Sequence, residues 1–304
     1  FEDAANYCME GILETLKRMM VTHDVTVWES TFLRDFSVKK ILERVKKTEY
    51  ARVGEVLYLD LSKFGIGKEL ILTRKDGTSL YPARDIAYHL WKSKRGTVID
   101  ILGADHKLLS TQLAATMKIL GEKIPEFIIY EFISLPEGKM STRRGVFISL
   151  DELADECVKR ALEEVSKRDS DAPKEFREKI AESVGTGAVR FNIVKISPHK
   201  SMTFNWEEAL DFERQGSPFI QYAHARACRI LEKAEVKKDF KVSRLSESEK
   251  KLLKVLSKFP IVIEEAAKEM KPNTIAMYAL DLADAFHRFY MFESVLRSEE
   301  REFR

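Results

Sequence analysis

Residues 97–121 read TVIDILGADHKLLSTQLAATMKILG, and residues 126–135 follow as EFIIYEFISL. TVIDIL is a short apolar run of strand length, as a covered strand reads. Gly103 stands where the chain leaves that strand, and Asp105 is placed to cap the helix that begins next. Leu109, Leu113, Met117 and Leu120 then recur on one helical face. EFIIYEFISL reads as a second buried strand. Strand, helix and strand in this order predict a parallel βαβ unit.

Upstream the rhythm differs. Ala4, Tyr7, Cys8, Gly11, Ile12, Leu16 and Met19 fall at helical spacing, VTVWES (25–30) alternates like a strand, and Val38, Ile41, Leu42 and Val45 mark another amphipathic helix. EVLYLDLSKFG and KELILTRKDGTSLY read as strands, with a hairpin turn at Asp76-Gly77. The first ~70 residues therefore predict a small α+β unit. Pro82 opens the helix PARDIAYHLWK, which buries Ala83, Ile86, Ala87 and Leu90. From Ser149 onward the pattern is helical, beginning with a capping box of Ser149 and Glu152.

The 304 residues allow two or three domains. Net charge is only +2, so a nucleic-acid contact has to come from local patches. Cys8, Cys157 and Cys228 form no CxxC pair and no disulfide framework, which predicts a reducing, cytoplasmic setting. No run of eighteen apolar residues is present, so no membrane partner is expected. The chain opens FEDAANYC without methionine and stops at EEREFR inside a charged helical pattern, and both ends read as cut.

Four stretches carry candidate chemistry. Ligands of open α/β sheets sit beyond the carboxyl ends of strands, and the predicted strands place Tyr81–Asp85, Gly103–His106 and the basic loop GKMSTRRG (138–145) at such ends. Tyr81 and Asp85 are four apart and share a helix face. A carboxylate beside a phenol can grip a cationic ligand, while Asp85 can equally serve the helix dipole. Gly103 admits a ligand to the backbone and His106 can donate a hydrogen bond, yet a lone histidine is as readily structural. The loop's glycines and its cations Lys139, Arg143 and Arg144 suit a polyphosphate clamp or a solvated loop. In FERQGSPFIQYAHARACRIL (212–231), Arg214, Gln221, Tyr222, His224 and Arg226 surround an apolar stripe of Phe219, Ile220, Ala223 and Ile230. Aromatics among cations suit unpaired bases, or a bundle helix with solvated charges. Tyr278, His287, Arg288 and Tyr290 pose the same choice. No metal-ligand spacing, Ser/His/Asp signature, P-loop or GxGxxG fingerprint occurs.

GKMSTRRG resembles the KMSKS signature of class I aminoacyl-tRNA synthetases. DGTSLYPARDIAYHLWK, GADHKLL, SPHKSMTFNWEEAL and FERQGSPFIQYAHARACRIL look like arginyl-tRNA synthetase of an archaeal type. The resemblance implies an α/β plus all-α fold, in which a connective α+β insertion (1–68) precedes the second half of a Rossmann-type parallel-sheet catalytic domain (69–148). A helical linking region (149–205) and a truncated helical anticodon-binding bundle (206–304) follow. It implies an arginine–tRNA ligase that joins ATP, L-arginine and tRNA(Arg), releasing AMP and pyrophosphate, with Mg²⁺ accompanying ATP and no metal site on the protein. By the same resemblance Tyr81, Asp85 and His106 bind arginine, Gly103, Lys139 and Met140 bind ATP, and Lys139, Ser141 and Arg143 are the catalytic residues. Arg214, Gln221, Tyr222 and Arg226 are the candidates for tRNA.

Two departures stand out. Thr142 replaces the second lysine of KMSKS, leaving Arg143 to inherit its role, and the HIGH-type histidine motif is absent from these residues. The expectation is a monomeric fragment of a longer enzyme, inactive alone in arginine activation. The alternatives are a non-catalytic tRNA-binding remnant, or another class I synthetase or nucleotidyltransferase.

Overall fold

The computed structural model describes residues 2–135, 148–213, 216–233 and 245–293. In chain order the elements are α1 (Glu2–Arg18), α2 (Ser30–Arg34), α3 (Ser37–Lys46), β1 (Ala51–Val53), β2 (Leu57–Leu59), β3 (Leu70–Ile71), α4 (Tyr81–Ser93), β4 (Ile99–Gly103), α5 (Lys107–Ile119) and β5 (Glu126–Tyr130). There follow β6 (Ile133–Ser134), α6 (Leu150–Arg168), α7 (Lys174–Val194), β7 (Met202–Thr203), α8 (Trp206–Ala209), α9 (Ser217–Lys233), α10 (Glu247–Leu256), α11 (Phe259–Glu269) and α12 (Pro272–Phe292). They form two compact units, His23–Phe132 on one hand and Phe1–Thr22 with Ile133–Arg304 on the other.

The 23–132 unit has one core. Phe32, Val38, Ile41 and Val45 from α2 and α3 meet Leu57, Leu59, Leu70 and Leu72 of the hairpin region, Ile86 of α4, and Leu113 and Met117 of α5. β1, β2 and β3 are antiparallel in that order. The Asp76-Gly77 turn forms as its residue types demand. Gly77 takes φ 78°, a left-handed value open to glycine, and Asp76 Oδ1 accepts from Thr78 N at 2.9 Å. VTVWES, by contrast, forms no strand.

The parallel pair is present: β4 and β5 run side by side from Ile99 opposite Glu126 to Gly103 opposite Tyr130, with α5 as the crossover. Its burial differs from the expectation. In β4 the buried residue is Asp100, while Ile99 and Ile101 are exposed. The strand thus has two faces, and the polar residue takes the covered one because α4 supplies cations there. EFIIYEFISL also divides, since pairing of β5 stops at Tyr130 and Ile133–Ser134 pairs in parallel with Met202–Thr203 instead.

In the second unit α6 and α7 lie side by side. The Ser149–Glu152 capping box forms as read, with a second at Ser246–Glu249. Although residues 1–68 read as one α+β unit, Glu2–Arg18 packs with α6 and α7. The reason is electrostatic as well as apolar: Arg18 reaches Asp155 at 2.7 Å and Glu182 at 2.8 Å, and Thr15 donates to Asp151 at 2.7 Å. Met19 joins Leu153, Ala154, Cys157, Ala188 and Phe204 in the core beneath. Burial pushes the Cys157 thiol up to about 12, so it packs as an apolar group rather than a nucleophile. α9 packs on α7 and α12, and Tyr278 of α12 donates to Val255 O of α10 at 3.1 Å.

The α6–α7 approach depends on Gly185. A Cβ there would stand 2.6 Å from both the N and Cα of Val158, atoms that cannot yield without parting the helices. Gly185→Ala is therefore expected to cost about 2–3 kcal/mol in urea unfolding. Gly11→Ala, on α1 with nothing within 4 Å, is expected to stabilise by roughly 0.5–1 kcal/mol.

Candidate functional site

α4 begins at Tyr81 immediately after the hairpin, with Pro82 in its first turn where a missing N–H costs nothing. This start puts Tyr81 and Asp85 one turn apart on the wall of a cavity of ≈ 280 Å³, near the small end of ligand pockets, which run from about 300 Å³. Its other walls are Val27, Glu29, Phe32, Arg84 and Tyr88. Two carboxylates and two phenol rings thus share one small space with apolar backing. Arg84 is partly spoken for, since Nη1 lies 3.2 Å from Glu29 Oε1 and Nη2 donates to Ser79 O. Burial, followed by the Asp85 and Glu29 charges, holds the Tyr81 phenol above its ordinary range. Tyr81 therefore acts as a neutral donor and ring. A planar cation with N–H donors on both edges is what such a cavity accepts, because carboxylates meet the donors and rings meet the plane.

Glu29 was not singled out by its sequence. VTVWES reads as a strand, and only folding of 25–29 as an irregular segment beside α4 brings the Glu29 carboxylate to the cavity.

Behind Asp85 lies a buried ionic cluster that no local spacing in the sequence marks. His89 Nδ1 donates to Asp85 O at 2.7 Å and stands 3.4 Å from Asp85 Oδ1, while His89 Nε2 donates to Asp100 Oδ2. Lys92 Nζ donates to the other Asp100 oxygen and lies 4.4 Å from the Tyr88 ring centroid. Both ring nitrogens of His89 face acceptors, so the ring carries both protons. Burial opposes this charge, but hydrogen bonds to Asp100 and Asp85 outweigh it and raise the histidine to about 9. Asp100 is held below its usual range: burial again opposes, and the hydrogen bonds from His89 and Lys92 prevail.

The other expected residues are placed as follows. Gly103 ends β4 at φ −68°, and the space its missing Cβ leaves is used by the Asp105 carboxylate, 2.7 Å away. Asp105 does not cap α5. Residues Ala104–His106 form a 3₁₀ turn, the helix starts at Lys107, and no side chain caps it. His106 is half-exposed, 3.7 Å from Asp105, and is not among the residues lining the Tyr81–Asp85 cavity. Lys139, Met140, Ser141, Arg143 and Arg214 lie outside the described residues.

In the helical unit, Tyr222 and Arg226 come together. Arg226 donates to Tyr222 OH at 2.7 Å, and its guanidinium lies 4.1 Å from the Tyr222 ring centroid and 4.5 Å from that of Tyr290. His287 supports it from α12. Its Nε2 donates to Phe219 O and its Nδ1 accepts from Arg226, both at 3.3 Å. Burial foremost, then the Arg226 charge, holds His287 below its usual value, consistent with a neutral acceptor. Tyr222 and Tyr290 remain exposed, so the cluster offers rings and a cation to solvent. Gln221 is used differently: its Nε2 donates to Ser183 O on α7 at 2.9 Å.

One chain thus carries a parallel βαβ unit with an acid-and-aromatic cavity and a helical unit with a ring-and-cation surface. Comparison with known proteins supplies the family. The profile of tRNA synthetases class I (R), catalytic domain, matches residues 5–206, and that of the DALR anticodon binding domain matches 220–304. The chain belongs to the arginyl-tRNA synthetase family. It is 50% identical over 303 residues to the arginine–tRNA ligase of Methanothermobacter thermautotrophicus, covering 98% of this chain and 54% of that protein. With the ligase of Methanocaldococcus jannaschii it shares 54% over 295 residues, 95% of this chain and 51% of the relative. The chain thus spans about half the length of the curated relatives it matches. Among solved structures, the Thermus thermophilus arginyl-tRNA synthetase superposes with a TM-score of 0.86 at 27% identity, covering 99% of this chain and 59% of that one. A methionyl-tRNA synthetase from Mycobacterium tuberculosis shares the fold at 8% identity and a TM-score of 0.64.

The raised His89 makes stability depend on pH. Its contribution is complete below the unfolded value of 6.5 and is lost as pH rises through about 9. Unfolding of the 23–132 unit is expected to become easier by of order 3 kcal/mol across that window. His89→Gln should flatten the decline, which urea titrations at a series of pH values would read.

Proposed function

We propose that this chain acts in arginine–tRNA ligation, in which ATP and L-arginine give an enzyme-bound arginyl-adenylate and pyrophosphate, and tRNA(Arg) then takes the arginyl group and releases AMP. The observation that carries the reading is the small cavity in which Tyr81 and Asp85 stand with Glu29 and Tyr88. Arginine is distinguished from other amino acids by a planar cation with five donors, and paired carboxylates beside rings suit it. Asp85 receives the guanidinium, Tyr81 packs beside it, and Glu29 supplies the second acceptor once its bond to Arg84 loosens.

The chemistry needs no protein nucleophile. The arginine carboxylate oxygen attacks the α-phosphorus of ATP, the bond to the bridging oxygen breaks, and pyrophosphate leaves. A hydroxyl of the terminal adenosine of the tRNA then attacks the activated carbonyl, and AMP departs. Rate is gained by positioning and by cations placed where charge develops. Lys139, Met140, Ser141 and Arg143 are the proposed clamp on ATP, which enters with its Mg²⁺ as substrate; Gly103 is a further candidate for ATP and His106 for arginine. In this reading 1–68 is largely the connective insertion, 69–148 the second catalytic half, 149–205 the link, and 206–304 the anticodon bundle. Arg214, Tyr222 and Arg226 face the tRNA, with Tyr290 as a further stacking ring.

In a complete synthetase carrying this chain, Asp85→Asn is expected to lower kcat/KM for arginine about 10²–10³-fold, the loss of a desolvated charge pair. It should also erase the preference for arginine over citrulline, its uncharged isostere. An unchanged preference in ATP–pyrophosphate exchange would remove Asp85 from the pocket. Tyr222→Ala is expected to weaken tRNA binding by roughly 1–3 kcal/mol, the worth of one stacked base. Tyr222→Phe, which keeps the ring and drops only the hydrogen bond with Arg226, should retain most of the affinity. If both variants lose only thermal stability, the tyrosine belongs to the bundle alone.

A further inference from the structure

The His89–Asp100–Lys92 cluster is expensive for a fold that has an apolar core beside it. Taking three charged groups out of water costs several kcal/mol each before their mutual attraction is counted, and apolar residues of similar volume often do as well or better. The arrangement has a direction. Lys92 and His89 close on Asp100 from α4, with Lys92 Nζ 3.1 Å from His89 Nε2, and His89 carries the cluster on to Asp85 at the cavity wall. Lys92 and His89 share the single Asp100 carboxylate, so the three carry one net positive charge, and it faces Asp85. The same cavity holds a rival cation, Arg84, already engaged by Glu29 at 3.2 Å. A carboxylate free to turn toward Arg84 would be taken up by that cation instead of by a guanidinium.

We propose that His89 is a positioning residue for the arginine pocket: anchored to Asp100 on β4, it presents Nδ1–H to the turn that carries Asp85 and holds that carboxylate turned toward the bound guanidinium. This rests on the reading of the cavity as the arginine site. The observations that carry it are the 2.7 Å bond from His89 Nδ1 to Asp85 O and the 3.4 Å approach to Asp85 Oδ1, which pin backbone and side chain of one residue together. Support of this kind decides whether a binding group stands in its productive orientation or wanders. It also gives Asp100 a reason to occupy the covered face of β4 between two exposed isoleucines.

The test is titration of L-arginine and, separately, citrulline into a complete synthetase carrying this chain as wild type, Asp85→Asn, His89→Gln and Asp100→Asn at pH 7, with helical content and thermal midpoint checked for each. His89→Gln and Asp100→Asn are expected to weaken arginine binding about tenfold, the worth of one charge-assisted hydrogen bond, with citrulline affinity unchanged. Equal weakening of both ligands would mark His89 as a purely structural residue and overturn the proposal. If Asp85→Asn loses arginine while His89→Gln keeps wild-type affinity and selectivity, the positioning role fails and the pocket stands. Wild-type arginine binding that is absent, or unaltered by Asp85→Asn, overturns the pocket reading and the positioning role with it. Should His89→Gln not fold, nitrogen NMR of the wild-type imidazole decides. A doubly protonated ring whose Nδ1–H signal moves with arginine and not with citrulline is expected, and a neutral or indifferent ring overturns the proposal.

Discussion

The carboxylate of Asp100 is the constraint around which the 23–132 unit is arranged. It lies on the covered face of β4, and a buried carboxylate is tolerable only with partners that satisfy its oxygens. Both come from α4, His89 to one oxygen and Lys92 to the other. That double engagement fixes the rotation of α4 about its axis and its height over the parallel pair. Once α4 is so held, Tyr81, Asp85 and Tyr88 have only one wall to form, and the apolar face of Ala83, Ile86 and Ala87 turns to the core.

The helical unit follows a different economy. Its close α6–α7 approach relies on a missing side chain at Gly185, and α1 is tied to that pair by Arg18 between Asp155 and Glu182. Charges there lie near the surface, where each pair is worth little on its own, so small-residue packing sets the geometry and ion pairs select which helix docks. On α9 and α12 the Arg226 guanidinium sits between two tyrosine rings and is steadied by a neutral His287. A cation held in this way is ordered before any ligand arrives, which lowers the entropy lost on binding.

Motif residues and pocket residues overlap only in part. Tyr81 and Asp85 were readable because a helix start with Pro82 fixes their spacing, and Tyr222 with Arg226 because four residues make one turn. Glu29 and His89 were not. Glu29 lies in a stretch whose alternation imitates a strand, and His89 looks like any residue on the inner face of an amphipathic helix. His106 and Gln221 were readable as polar residues in interesting places, yet one stands off the cavity and the other holds α7.

By itself the sequence determined what local periodicity and residue chemistry determine: the βαβ order, the Asp76-Gly77 turn, the Ser149–Glu152 capping box with its helix, and the motif set that marks a class I synthetase of the arginine type. Only the tertiary structure decided which face of β4 is covered, that EFIIYEFISL serves two separate pairings, that residues 2–18 pack on α6 and α7, and that Asp100 joins His89 behind the pocket. The physical reason is common to all four. A strand side chain's environment and a buried charge's partner depend on what packs across from them, and that neighbour comes from a distant part of the chain that no local spacing reveals.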